Sequence, residues 1–214
     1  MVAAQTAENF AEGSAVDHGR LEAEEVDQRV ILHGMTWKDY EIILAVRGER
    51  SLPRIYYLDG EIELMNPSWM HEDVKTTIAR LLEAYADERG LEFNGYGQWT
   101  LRKARKKRAA EADECYILGA KRKSVPDLAI EIMWSRGGLN KLKIYSGLGV
   151  RELWIWDRKG SIQVHILRGQ HYEPSDKSEL LPELDLGWLV SFLHYPTQSQ
   201  AVRAFRAAMR SAPR

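Results

Sequence analysis

Residues 111–157 read EADECYILGAKRKSVPDLAIEIMWSRGGLNKLKIYSGLGVRELWIWD. Two apolar-rich segments, Ala112–Leu118 and Asp127–Met133, are parted by a short basic link, and each reads as a strand. Leu139–Ser146 has helical spacing, Glu152–Trp156 reads as a further strand, and Asp157–Gly160 turns the chain back through Ile162, Val164 and Ile166. A helix crossing between two strands predicts that those strands pair in parallel.

Working upstream, Glu72–Arg89 is the clearest helix. Val74, Ile78, Leu81, Leu82 and Tyr85 form one apolar stripe, and Gly90 supplies the stop. Residues 91–101, LEFNGYGQWTL, read as one strand. The order from Glu72 onward is helix, three strands, helix, strand, which predicts an α/β fold with a mixed central sheet flanked by helices. Before it, residues 55–65, IYYLDGEIELM, place two apolar runs around Asp59-Gly60, a hairpin signal. Thr36 suits an N-cap for a helix over TWKDYEIILAV. Residues 1–30 lean acidic and lack aromatic density, so they predict a flexible arm with a nascent helix near Leu21–Val30. Pro196 precedes a last helix, Gln198–Met209. The expected organisation is an arm over 1–30, one domain over 31–195, and a C-terminal helix and tail over 196–214.

The chain has 214 residues, 44% hydrophobic and 29% charged, enough apolar residue for a core and enough charge for a solvated surface. Its net charge of -1 excludes a uniformly basic nucleic-acid binder, so any grip on phosphates must be a local patch. The single cysteine, Cys115, excludes an intramolecular disulfide framework and suits a reducing cytoplasm. No apolar run predicts a membrane span, and the N-terminus lacks signal-peptide character. A cytoplasmic protein without a membrane partner is the expectation.

Side chains alternate along a strand, so Leu128, Ile130 and Ile132 point one way and Asp127, Ala129, Glu131 and Met133 the other. A carboxylate buried in such a strand is costly unless it is paired or holds a metal. Asp127 and Glu131 share a face but stand about 13 Å apart along it. That is too far for one magnesium ion, whose oxygen ligands lie at about 2.1 Å. The second ligand is therefore expected from the neighbouring strand, where Asp113 stands, with the Ile132 backbone carbonyl as a third. Asp127 reads as structural. Lys141 and Tyr145 share a face of the short helix. The Lys141 ammonium would orient the attacking water and stabilise charge on a phosphate, while Mg2+ (Mn2+ can substitute) activates the water. The plain alternatives are a Glu131 paired with a lysine or arginine and a solvated Lys141. Lys143 faces elsewhere.

Supporting candidates are Glu61 and Glu63 on the polar face of the hairpin, His71 and Glu72 at the opening of the long helix, Tyr145, and Glu152 as a buttress for Lys141 or a helix terminus. The run Arg102, Lys103, Arg105, Lys106, Lys107 and Arg108 is the main basic patch, either a phosphate grip or a solvated hairpin tip. Trp154 and Trp156 alternate with Leu153 and Ile155, which predicts a strand buried on both faces. Cys115 has no histidine in sequence reach, and the histidines lack zinc spacing.

These residues together resemble the Uma-two family, a bacterial branch of the PD-(D/E)XK, restriction-endonuclease-like superfamily. The family's hairpin, aspartate-glycine turn, proline-serine and helix-opening histidine match LDGEIELMNPSWMH, ending at His71. Its strand aspartate matches Asp113. Its PDL-x-x-E matches Pro126, Asp127, Leu128 and Glu131, its lysine and tyrosine match Lys141 and Tyr145, and its last motif matches Gly149, Val150, Glu152 and Trp154. The likeness covers about Met35 to Leu193. It departs at Met133, where the superfamily has its lysine, a role that passes to Lys141, and at Ala112, where the family often has proline. The resemblance implies an αβββαβ core and a magnesium-dependent endonuclease acting on DNA, with catalytic residues Asp113, Glu131 and Lys141 and a homodimer where both strands are cut. The rival expectation is an inactive nucleic-acid-binding or structural domain of the same fold.

Overall fold

The computed structural model describes residues 26–211. Residues 1–25 of the expected arm lie outside them. At its end the arm is not helical: Gln28–Leu32 is strand β1, paired antiparallel with a strand of the hairpin. Helix α1, Trp37–Arg47, starts at a capping box in which Thr36 and Asp39 satisfy each other's backbone N–H groups. The hairpin β2 (Arg54–Leu58) and β3 (Glu61–Asn66) turns at Asp59 and Gly60, both at positive φ. Positive φ at both central residues is the two-residue turn whose twist suits a hairpin. Helix α2, Trp69–Arg89, is capped by Ser68, which accepts from the His71 N–H, and stops at the left-handed Gly90.

Residues 91–101 form two strands rather than one. β4 is Phe93–Gly95 and β5 is Thr100–Lys103, and they belong to different sheets. The chain crosses between the sheets at Tyr96–Trp99, where glycines flank Tyr96 and the apolar alternation lapses. A 3-10 turn at Ala104–Lys106 then leads into β6, Arg108–Glu111, so the basic run is the tip of the β5–β6 hairpin. β7 (Glu114–Leu118), β8 (Leu128–Met133), α3 (Lys141–Leu148) and β9 (Glu152–Asp157) follow in the expected order. β8 and β9 pair in parallel across α3. β10 (Ser161–Arg168) and β11 (His171–Ser175) extend the sheet, and α4 (Leu186–Val190) and α5 (Gln198–Ser211) close the chain.

One sheet is antiparallel, in the order β1-β3-β2-β6-β5, and the other is mixed, in the order β11-β10-β9-β8-β7-β4. The alternation in β8 sorts the cores. Leu128, Ile130 and Ile132 pack with Trp154 and Trp156 and with α2, α4 and α5 on one face of the mixed sheet. Ala129 and Leu153 face the other way, toward Tyr56 and Met65 of the antiparallel sheet and Ile144 and Tyr145 of α3. α1 covers the far face of the antiparallel sheet through Tyr40. No described helix is long and apolar enough to cross a membrane. The layer between the two sheets, roofed by α3, is where buried charge collects.

Candidate active site

Asp113 precedes β7. The register Glu114↔Ile130, continued by one residue, sets it across from Glu131 on β8. Both carboxylates are buried at 1% exposure. Asp113 is held by N–H donors: its Oδ2 accepts from the Ile132 N–H at 2.6 Å, and its Oδ1 accepts from Arg54. His71 Nε2 stands 3.0 Å from the same Oδ1. Glu131 is held by hydroxyls. Tyr145 of α3 donates to its Oε1, and Tyr56 of β2 donates to its Oε2 at 3.3 Å.

Lys141 opens α3 because Asn140 caps the helix, accepting from the Lys143 N–H at 3.0 Å. The buried ammonium lies 3.9 Å from Glu131 Oε2, 3.8 Å from Glu63 Oε2 and over the face of Tyr56. It makes no hydrogen bond among the described residues. Burial pushes the Lys141 ammonium below its ordinary range, opposed by the negative charge of Glu131 and Glu63. Burial and the same Glu131 charge hold the Tyr56 and Tyr145 hydroxyls well above theirs, so both stay proton donors.

Further buried ions bear on these groups. Glu63 is fully buried, binds Arg29 Nε at 2.7 Å and accepts from the Leu139 N–H at 2.7 Å, pinning the loop that leads to Lys141. Gly138 permits that approach: a Cβ there would sit 3.1 Å from both Glu63 oxygens. His71 Nδ1 faces Asp27 at 3.1 Å, and Arg54 also binds Glu72 at 2.6 Å. Burial pushes the Asp27 carboxyl up. Its bonds to His71, the Ser68 N–H and Ser135 outweigh that and hold it at about 2. For Glu72, burial is likewise outweighed, by Lys75 and Arg54, and its pKa falls.

Glu63, His71, Glu72 and Tyr145 therefore meet the Asp113–Glu131–Lys141 cluster, and two of the expected supporting residues do not. Glu61 pairs with the exposed His33 at 2.7 Å at the hairpin end, because the next turn of the strand alternation carries Glu63, not Glu61, beneath α3. Glu152 does not buttress Lys141. It accepts from Trp154 Nε1 at 2.6 Å and from the N–H groups of Glu179 and Leu180, anchoring the segment before α4. Asp127 binds Lys123 and the Leu118 N–H, a structural role. Cys115 is sealed in the core, and burial pushes its thiol up to about 12. Arg54, Tyr56, Asp27 and Arg29 escaped the sequence reading. Arg54 and Tyr56 lie two apart on β2, so they share the inner face, and that spacing was the available signal.

In the basic run, Lys103 donates to the Leu148 carbonyl and Arg108 binds Asp59, while Arg102, Arg105, Lys106 and Lys107 are exposed. Among the described residues, no three or more His, Cys, Asp and Glu side chains form a ready metal cage. The constellation is two facing carboxylates, one held by N–H groups and one by hydroxyls, beside an ammonium with no hydrogen bond.

The family description "Uma2: Putative restriction endonuclease" matches residues 37–205. Among solved structures, the chain is similar to the crystal structure of a putative nuclease belonging to DUF820 from Anabaena variabilis, at 14% identity and a TM-score of 0.41, over 72% of this chain and 92% of that one. No curated protein matches.

Proposed function

The chain belongs to the Uma2 family of putative restriction endonucleases, and from that membership and the buried constellation we propose that it is a metal-dependent endonuclease hydrolysing phosphodiester bonds of DNA. The observation that carries the reading is the Lys141 ammonium, buried without a hydrogen bond 3.9 Å from Glu131, which itself faces Asp113 across β7 and β8. A buried ammonium that has ion partners at 3.8 and 3.9 Å but no hydrogen bond among the described residues is costly, and its use is to meet a negative group that arrives with a ligand.

The donor set suits a hard divalent ion, since both side chains offer carboxylate oxygens. Asp113 and Glu131 would hold Mg2+ or Mn2+, with the Ile132 carbonyl as a third ligand. When bound, the ion supplies a Lewis acid and an activated water. The protein's own groups do the rest. Tyr56 and Tyr145 fix the Glu131 carboxylate, and Arg54 and His71 fix Asp113. Lys141 stabilises charge developing on the phosphate. A homodimer would bring two such centres to opposite strands, and a cytoplasmic setting suits the lone buried thiol.

A second reading draws on one observation. The Arg54 guanidinium already neutralises Asp113, as it would in a domain that binds nucleic acid without cutting it. Calorimetric titration of Mg2+ or Mn2+ into wild type, Asp113→Ala and Glu131→Ala, beside plasmid nicking, separates the two. We expect wild type to bind metal and nick, and both variants to lose both. Plasmid binding without nicking, unchanged in the two variants, would favour the second reading.

A further inference from the structure

Two adjoining hollows lie away from the buried carboxylates, between the Tyr96–Lys103 segment and the 119–126 link that joins β7 to β8. One, of about 520 Å³, is lined by Tyr96, Gln98, Trp99, Thr100, Arg122 and Lys123. The other, of about 260 Å³, begins at the same Trp99 and Thr100 and runs past Arg102 and Lys103 to Leu148. They form one trough. Its larger hollow falls within the ~300–1,000 Å³ usual for ligand sites.

The lining is sorted by charge. Four of its residues, Arg102, Lys103, Arg122 and Lys123, are cationic, and none is a carboxylate. In a chain of 30 basic and 31 acidic residues, that is local segregation. A third cavity on the other side of Thr100 and Arg102 contrasts with it, since Glu41 and Glu49 help to line it. Lys103 and Lys123 are tied to the Leu148 carbonyl and to Asp127. Arg102 and Arg122 are exposed and have no ion-pair partner among the described residues. Between the cations stand two aromatic rings, Tyr96 and Trp99, with centroids 5.4 Å apart and planes tilted by 41°. Tyr96 is 41% exposed.

Cations alone would fit the outside of a duplex. Trp99 is half-buried, with one side packed on the inter-sheet core, and Tyr96 is exposed beside it. Aromatic faces so placed among cations fit unpaired nucleotides, whose bases stack on the rings while the backbone follows the charge. We propose that this trough binds single-stranded nucleic acid, with an unpaired base stacked on Trp99 or Tyr96 and the flanking phosphates on Arg102 and Arg122. The proposal rests on nucleic acid being the substrate class, as argued above. Thr100 pairs with Glu111 two residues before Asp113, and Leu148 and Lys141 end a helix about 10 Å long. A strand seated in the trough is thus held within a few nucleotides of the carboxylates.

The test is fluorescence anisotropy of labelled oligo-dT and oligo-U, about 12 nucleotides long, and of a blunt duplex, with the full chain in chelator so that nothing is cut. We expect wild type to bind a single strand more tightly than the duplex, with affinity falling as salt rises. Trp99→Ala should weaken it by about tenfold or more, and Trp99→Phe should restore most of the loss. Arg102→Glu with Arg122→Glu, a change confined to exposed side chains, should weaken it further and flatten the salt dependence. The tighter of the two oligonucleotides names DNA or RNA as the source. Single-strand affinity unchanged in both sets of variants, or a duplex bound more tightly by wild type, overturns the proposal. Plasmid nicking that survives such a failure leaves the nuclease reading intact. Oligonucleotide binding without any nicking leaves the trough and sinks the nuclease.

Discussion

Glu111, on the α1 face of the antiparallel sheet, and Glu131, in the layer between the sheets, are both buried glutamates, and they are satisfied in opposite ways. Glu111 takes Arg47 at 2.7 Å, the Ile55 N–H at 2.8 Å and the Thr100 hydroxyl at 2.8 Å, with Gln98 more distant. Its cation, from the end of α1, is in direct contact, and its lone pairs are filled by backbone and side chains of β2, β5 and the approach to β5. Glu131 takes two tyrosine hydroxyls, and its nearest cation stays 3.9 Å away with no hydrogen bond of its own. Burial therefore does not mark the site. A buried carboxylate with a closed set of donors welds elements together, and one whose counter-charge is left unspent is prepared for something else.

The largest expected effect tests the welding half of that contrast. Glu111→Ala leaves the buried Arg47 guanidinium without its carboxylate, keeping only the Pro53 carbonyl at 3.4 Å, and the Ile55 N–H without its acceptor, which should cost about 3–5 kcal/mol of stability by urea denaturation. Nicking by the fraction that stays folded should change little. A variant as stable as wild type that no longer nicks would reverse the assignment of the two glutamates.

Glu131→Gln tests the other half. The amide keeps a carbonyl for one tyrosine hydroxyl and removes the charge, so stability should move by only about 1 kcal/mol. Metal-dependent nicking should fall by about 100-fold or more. Unfolding as severe as that of Glu111→Ala, with residual folded protein still nicking, would put Glu131 among the structural carboxylates.

How far the two classes can be told apart from sequence follows from where their partners sit. The proximity of Asp113, Glu131 and Lys141 was legible because strand alternation and neighbouring strands bring them together, and the parallel β8–β9 pairing follows from the helix between. Asp59-Gly60 announced its hairpin by turn chemistry. The roles of Glu111 and Glu152 were not legible in detail: beside the side chains of Arg47, Thr100 and Trp154, they accept from backbone N–H groups at Ile55, Glu179 and Leu180, which carry no residue signature. Beyond its spacing from Tyr56, Arg54 carried no sequence signal, because its partners Asp113, His71 and Glu72 come from other elements that only the folded chain brings to it. The break of residues 91–101 into two sheets was hidden for a related reason. Glycine at 95 and 97 weakens the pattern that would have shown two short strands instead of one.

Gly138 gives a smaller and more local test, because it governs the loop that delivers Lys141. A Cβ at 138 would press on both Glu63 oxygens at 3.1 Å and on Arg29 Cζ at 3.4 Å. Gly138→Ala should displace the Glu63 carboxylate from the Leu139 N–H and cost about 1–3 kcal/mol. Because Glu63 is one of the two carboxylates near the Lys141 ammonium, nicking should fall more than stability accounts for. A loss of stability with full specific activity in the folded fraction would show that the Glu63 bond positions only the loop.

The smallest effect comes from Asp27, at the outer end of the ionic chain through His71 to Asp113. Its folded pKa, about 2, lies below the ordinary 3.8. The sign follows from proton binding. Between those two values the unfolded chain takes up the proton first, so the stability that Asp27 contributes is whole above pH 3.8 and is lost as the pH falls toward 2. Asp27→Asn should remove that part of the acid slope and leave the rest, read as urea midpoints at several pH values through this window. Asp27 belongs with the welded carboxylates: it accepts from the Ser68 N–H at 2.9 Å and from Ser135 at 3.1 Å as well as facing His71. Asn should therefore lower stability near neutral pH while leaving metal affinity almost unchanged. A drop in metal affinity as large as that of Glu131→Gln would mean that the chain through His71 sets the charge at Asp113, and the boundary between welding and working carboxylates would have to be redrawn to include it.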